Sequence, residues 1–239
     1  MNRGPAEYLL GANRYGKYCV PPASEHRRAV AAILAGKVYE RRTIRFMIEH
    51  CAAGDIVHAG TYFGDFLPAL SVALHPQALI WAFEPNCENF CCAKNTIEMN
   101  GLENVRLMNA GLGAKPDTML LQVRDADGAL RGGSSRLVRT REPGAEHEEV
   151  RIVAVDDIIP ADRAISILQL DVEDFEQEAL TGALSTVRRC LPVMILENLP
   201  RDEAWFQQNI LSLGYAFRGK VHANSIFAPI GIPLALPGH

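Results

Sequence analysis

Asp55-Ile56-Val57-His58-Ala59-Gly60-Thr61-Tyr62-Phe63-Gly64-Asp65-Phe66 decides how this chain folds. An apolar run of strand length stops at Gly60, a second glycine follows at Gly64, and a helical pattern begins at once. A strand that turns sharply into a helix leaves free backbone N–H groups at the helix start, which suit an anionic or carboxylate-bearing ligand. Glycine lets the backbone approach that ligand with no Cβ in the way. After one helix and one further apolar run comes Ala82-Phe83-Glu84-Pro85-Asn86. An acid at the tip of a second strand, 20 residues past Gly64, stands where a nucleotide ribose presents its two hydroxyls.

The 239 residues, 48% hydrophobic and 22% charged, are enough for one large domain with a sizeable core. A net charge of −4 carries no nucleic-acid footprint, and no run approaches the ~18 apolar residues of a membrane span. Neither nucleic acid nor membrane is therefore expected as a partner. With no apolar signal segment after Met1, the six cysteines read as reduced thiols of a cytoplasmic protein. Cys87, Cys91 and Cys92 lack a second pair at zinc spacing and read as small core residues.

Outward from the central stretch the pattern is α/β. Strands are expected at Ile56–Ala59, Leu79–Phe83 and Val105–Asn109, with helices from about Asp65 to His75 and from the Asn86 cap to Asn100-Gly101. Such β-α-β-α-β order defaults to parallel strands with right-handed crossovers. Residues 1 to 53 form an N-terminal arm and helical cap: irregular and aromatic to Pro22, then one helix capped by Ser24 and another near Tyr39 to Ala53. Residues 54 to 239 form the main domain. An inserted hairpin is expected near 114 to 155, from Thr118–Val123 and Val150–Val155. Strand Ile165–Leu170 leads to one helix that starts at Glu173 and ends at Arg188-Arg189. Strand Val193–Leu196, a helix from Asp202 to Leu213 and an antiparallel pair at Tyr215–Arg218 and Ser225–Ala228 complete the chain.

Ligands of open parallel sheets bind beyond the carboxyl ends of the strands. Those ends are Gly60, Glu84, Asn109-Ala110, Asp171 and Glu197, and three of the five are acids. Each acid alone is also what a solvated loop or helix cap carries. Together they mark the expected site.

The ordered segments Gly60-Thr61-Tyr62-Phe63-Gly64, Phe83-Glu84-Pro85-Asn86, Asn109-Ala110-Gly111-Leu112-Gly113, Gly133-Ser134-Ser135 and Leu170-Asp171-Val172-Glu173-Asp174-Phe175-Glu176 resemble FkbM-type methyltransferases. These are class I, S-adenosylmethionine-dependent enzymes that usually O-methylate sugar or natural-product hydroxyls. The resemblance implies a Rossmann-like fold with a mostly parallel central sheet, an antiparallel C-terminal strand pair and a helical N-terminal extension. It implies that Gly60 and Gly64 pass beneath the methionine part of the cofactor and that Glu84 accepts both ribose hydroxyls. Asn109 and Ala110 would lie beside adenine, with Asp171 near the sulfonium. Thr61, Tyr62, Phe63, Asp65, Pro85 and Asn86 belong to the same cofactor-binding set. Tyr15, Ser134, Ser135 and His222 are the candidates for the substrate side. Two positions depart from the family, which usually has Asp where His58 stands and Gly where Asp174 stands; Asp65 is a candidate to replace the first.

The expected chemistry is direct methyl transfer to a small-molecule hydroxyl, with a base drawn from Asp171, Glu173, Glu197 and His58. A magnesium ion on Asp171, Glu197 and Asn198 suits oxygen ligands but has no spacing motif, so no metal is assigned. A nicotinamide-dependent oxidoreductase and a non-catalytic S-adenosylmethionine-binding module are the alternatives. A homo-oligomer is left open.

Overall fold

A computed structural model describes residues 8–237. The N-terminal arm is an antiparallel hairpin, β1 (Leu9–Asn13) and β2 (Gly16–Val20), and not irregular chain. Asn13 Oδ1 accepts the backbone N–H of Tyr15 at 2.8 Å, the local side-chain bond that closes an Asx turn. Two helices follow, α1 (Arg28–Leu34) and α2 (Arg41–His50). Ser24 does not cap α1; it lies buried in a single 3₁₀ turn at Pro22–Ser24.

The main sheet then begins with β3 (Asp55–Ala59), α3 (Leu67–Ala73), β4 (Ile80–Phe83), α4 (Cys87–Asn100) and β5 (Val105–Met108). Asn86 caps α4 by accepting the N–H of Asn89, and Gly101 ends it in the left-handed conformation. The expected hairpin is the antiparallel pair β7 (Asp117–Arg124) and β9 (Glu146–Val153), enlarged by β6 (Gly111–Leu112) and β8 (Arg136–Val138) into a separate four-stranded sheet in the order β6-β9-β7-β8. Val155 belongs to the short helix α5 (Val155–Ile158).

The chain returns to the main sheet through β10 (Ile165–Leu170). The single polarised helix expected next is two, α6 (Glu176–Thr181) and α7 (Leu184–Cys190). Gly182 sits at the break because a Cβ there would lie 2.0 Å from the Gly113 carbonyl oxygen. Strand β11 (Val193–Leu196), helix α8 (Glu203–Asn209) and the antiparallel pair β12 (Tyr215–Val221) and β13 (Asn224–Pro229) finish the fold.

The seven strands of the main sheet run β12-β13-β11-β10-β3-β4-β5, and the five from β11 to β5 are parallel. Period-two alternation divides the core. Val57, Leu168 and Met194 face one side with Leu180, Val187 and Phe206. Ile56, Ile167 and Ile195 face the other with Ile44, Met47 and Leu70. The hairpin is tied to α4 by Lys17 and Cys19, whose N–H groups donate to Asn100 and Thr96, and by a core of Tyr18, Val30, Phe63 and Cys92. Strand order reverses between β3 and β10, so the crevice of this sheet opens above Ala59 and Leu170.

Candidate active site

Ladder hydrogen bonds continue past the strand ends and set the loop tips side by side. Gly60 N–H donates to Phe83 O, Glu84 N–H to Met108 O, Asp171 N–H to Ala59 O and Glu197 N–H to Leu170 O, all within 3.2 Å. Gly60 has φ +77°, and a Cβ on it would lie 1.9 Å from the Asp171 carbonyl oxygen. Only glycine allows the two tips this approach.

The Glu84 carboxylate is 5% exposed and held by two backbone donors, Tyr62 N–H at 2.8 Å and Asn86 N–H at 2.9 Å. Burial pushes its pKa up to about 7 against the pull of those donors. It faces an inner cavity whose other walls include Phe83, Ala110, Leu112, Leu121 and Leu137. An apolar slot with one fixed carboxylate suits a flat aromatic base joined to a diol.

A wider chamber adjoins it, and Gly60, Gly133, Asp171 and Glu173 line both. Its walls carry Glu40, His58, Asp65, Gln169 and Glu197. Burial, then the carboxylate of Glu197, hold Asp171 well above the ordinary range. Burial and Glu197 likewise push Glu173 to about 7, while burial and Glu40 push Asp65 to about 7. Burial acts the opposite way on His58, lowering it to about 4. His58 is therefore neutral, stacked on Phe66 at 5.3 Å between centroids, and its Nδ1–H meets Gln169 Oε1. A proton affinity so low ranks His58 below Asp171 and Glu173 for the base role expected of it.

Asp171, Glu173 and Glu197 bring carboxylate oxygens within 4.8 Å of one another, and these are the described residues that could hold a metal ion. Asn198, the third residue of the expected ligand set, stands beside this cluster with its Nδ2 3.4 Å from Glu197 Oε2.

Gly60, Tyr62, Asp65, Glu84, Pro85, Ala110, Ser134, Ser135, Asp171, Glu173 and Glu197 line the two compartments as the sequence suggests. Other expectations are corrected. Phe63 points into the core with Tyr18 and Val30, and Gly64 lies against Leu67 and Ala93. Thr61 is fully buried behind the turn. Asn86 caps α4, and Asn109 donates to the carbonyls of Glu84 (2.8 Å) and Pro85 (3.0 Å), so both brace the Glu84 loop rather than line the slot. Tyr15 packs at the hairpin turn against the second core. His222 lies behind the chamber wall, its Nδ1 3.3 Å from Glu40 Oε1. Cys87 is exposed, not a core residue.

Residues without a sequence signal complete the site. Arg27 donates to Ser134 Oγ (3.1 Å) and Leu130 O (2.9 Å), while Asn89 donates to Gly132 O (3.3 Å). Together they latch the Gly132–Ser134 turn over the cleft, where Gly133 lies against the Tyr62 ring. Leu121 and Leu137 reach the slot from the second sheet.

The donor set fits an adenosyl sulfonium cofactor. Glu84 would address a diol beside an apolar slot, Gly60 leaves room at the strand crossing, and a buried polar atom of the chamber wall, His58 Nε2, has no partner within the protein. The sequence matches the profile described as "Methyltransferase FkbM domain" over residues 58–217. The chain belongs to the FkbM methyltransferase family. It is thus of an S-adenosylmethionine-dependent class, which sets aside the nicotinamide reading. Among solved structures it is similar to the FkbM methyltransferase of Methylobacillus flagellatus KT, with 17% identity and a TM-score of 0.51 over 74% of this chain. The chain spans 43% of that protein's length. It is also similar to M. jannaschii TYW2 in complex with AdoMet, at 12% identity and a TM-score of 0.50, covering 96% of this chain and 90% of that one. At these identities the likeness is one of fold, the Rossmann-like class I methyltransferase fold. No curated protein matches in sequence.

Proposed function

We propose that this FkbM-family protein transfers the methyl group of S-adenosylmethionine to a hydroxyl oxygen of a small sugar or natural-product acceptor. When bound, the cofactor supplies an electrophilic methyl group. The chain's own residues hold, orient and deprotonate. Glu84 grips the ribose, Phe83, Leu112, Leu121 and Leu137 enclose the base, and the wider chamber receives the acceptor.

The observation that carries this reading is Asp171 at the junction of the two compartments, with a carboxylate whose proton affinity is raised by burial and by Glu197. A carboxylate tuned upward there is suited to take the proton of an attacking hydroxyl. The outer chamber presents five carboxylates, Glu40, Asp65, Asp171, Glu173 and Glu197, against two arginines, Arg27 and Arg28, an acidic balance that favours a neutral, hydroxylated small molecule over a nucleic acid. No helix among the described residues is long and apolar enough to cross a membrane. A cytoplasmic setting accords with the six unpaired cysteines.

The test is release of S-adenosylhomocysteine with a panel of sugars, phenolic and aliphatic alcohols, amines and tRNA. Asp171→Asn should lower turnover by about 10²-fold or more, the span of a lost general base, while cofactor affinity changes less than threefold. Turnover on amines or tRNA alone, or wild-type turnover in the variant, would reject the proposal.

A further inference from the structure

The amino-acid end of the donor needs partners of its own beside the Glu84 slot. We propose that Glu40, Asp65 and His58 form the subsite for its ammonium group, with the N-terminal segment supplying part of the cofactor site. This inference rests on the donor assigned above.

Three acceptors line one chamber. Glu40 is the residue just before α2, held in the left-handed conformation at φ +44°, which a non-glycine residue adopts at a cost. Its carboxylate is fixed from behind by Thr43 Oγ1 at 2.9 Å, Asn224 Nδ2 at 3.3 Å and His222 Nδ1 at 3.3 Å. Asp65 is 9% exposed and stands at the turn after Gly64. Among the described residues, no lysine or arginine lies within ion-pair distance of either carboxylate. Asp65 is buried, the Glu40 side chain is 15% exposed, and the Glu40 charge acts on Asp65, so with no lysine or arginine paired to either they form an incomplete arrangement.

His58 provides the independent observation. It is 3% exposed, and with Nδ1–H spent on Gln169 its Nε2 is left as a bare acceptor with no partner. An ammonium carries three N–H donors and one positive charge. Two carboxylates and one neutral imidazole nitrogen answer both. A strand-end histidine that cannot supply charge is thereby compensated by two acids from other elements.

A primary ammonium could also belong to an acceptor, so the probes separate the two. Binding of S-adenosylhomocysteine, and of 5′-methylthioadenosine, which lacks the amino-acid end, is measured by calorimetry for the wild type, Glu40→Gln and Asp65→Asn. Each variant should bind S-adenosylhomocysteine at least tenfold more weakly and methylthioadenosine within twofold of wild type. Both amides keep side-chain shape and remove a repelled charge, so the ligand-free melting temperature should not fall. Unchanged S-adenosylhomocysteine affinity overturns the subsite, and equal weakening of both probes shows a role in shape alone, which overturns it too. Failure of both probes to bind the wild type would instead reject the donor assignment on which the subsite stands.

Discussion

At the scale of single residues the site depends on where backbone N–H groups and burial place charge. Glu84 is positioned by Tyr62 and Asn86 before any ligand arrives, so in the proposed role it would meet a ribose without reorganising. Glu84→Ala should weaken S-adenosylhomocysteine binding at least tenfold with the fold retained, as read by calorimetry and circular dichroism; unchanged affinity would remove Glu84 from the ribose role. Asp174 is the second departure from the family pattern, and the structure gives its physical meaning. Its φ is +71° and Glu173 before it has φ +53°. A left-handed conformation costs a non-glycine residue about 1–2 kcal/mol, and its pair with Arg201 at 2.8 Å is exposed and adds little in return. Asp174→Gly should therefore leave the midpoint of urea unfolding unchanged or raise it; a clear fall would show that the Arg201 pair outweighs backbone strain.

At the scale of elements, β3 is held at both ends. Its tip makes the site, and its base is anchored by Asp55, 2% exposed in its side chain. Asp55 accepts Leu79 N–H and Trp81 Nε1–H, each at 2.8 Å, and both Nε and Nη2 of Arg163 at 2.8 and 2.5 Å. The anchor joins β3 to β4 and to the loop before β10, the strands that flank the crevice. Removing one partner of a buried, hydrogen-bonded pair costs about 3–5 kcal/mol, so Asp55→Ala should lose most of that in denaturant unfolding. A loss below 1 kcal/mol would mean that the β3 base carries little of the stability. The loop over the cleft behaves differently. It is fastened by side-chain bonds from Arg27 and Asn89, while its ends are pinned by the second sheet.

Across the whole molecule the cleft stores unfavourable charge. Burial raises Asp65, Glu84, Glu173 and Glu176 to about 7, above the ordinary carboxyl range. Between about pH 4 and 7 the native state therefore binds more protons than the unfolded chain, so these groups favour folding at low pH and that contribution is lost as pH rises through 7. His58, lowered to about 4, opposes this between about pH 4 and 6.5, but it is one group against these four and Asp171, which is raised as well. The melting temperature of the ligand-free protein should fall from pH 5.5 to 7.5, and Glu84→Gln should flatten the slope. A melting temperature that rises across that interval would contradict the burial of these acids.

How much of this was legible follows the same physics. Glycine turns, the Asn86 cap, apolar strands and the acids at their tips are local and periodic, and they place Gly60, Glu84, Asp171 and Glu197 at one edge of a parallel sheet. The Arg14-Tyr15 turn and the flanking strands of the second sheet escaped, although its central pair was legible, because a short hairpin and β8, three residues long, carry little periodic signal. The break at Gly182 depends on a carbonyl 69 residues away in the chain, at Gly113. The sequence by itself determined the parallel core, the family and the strand-end acids, because each is written in neighbouring residues. Only the tertiary structure decided that His58 is neutral, that Asn109 is a brace, that Arg27 latches a distant turn and that Glu40 enters the chamber, because burial and charge proximity arise from residues far apart in the chain.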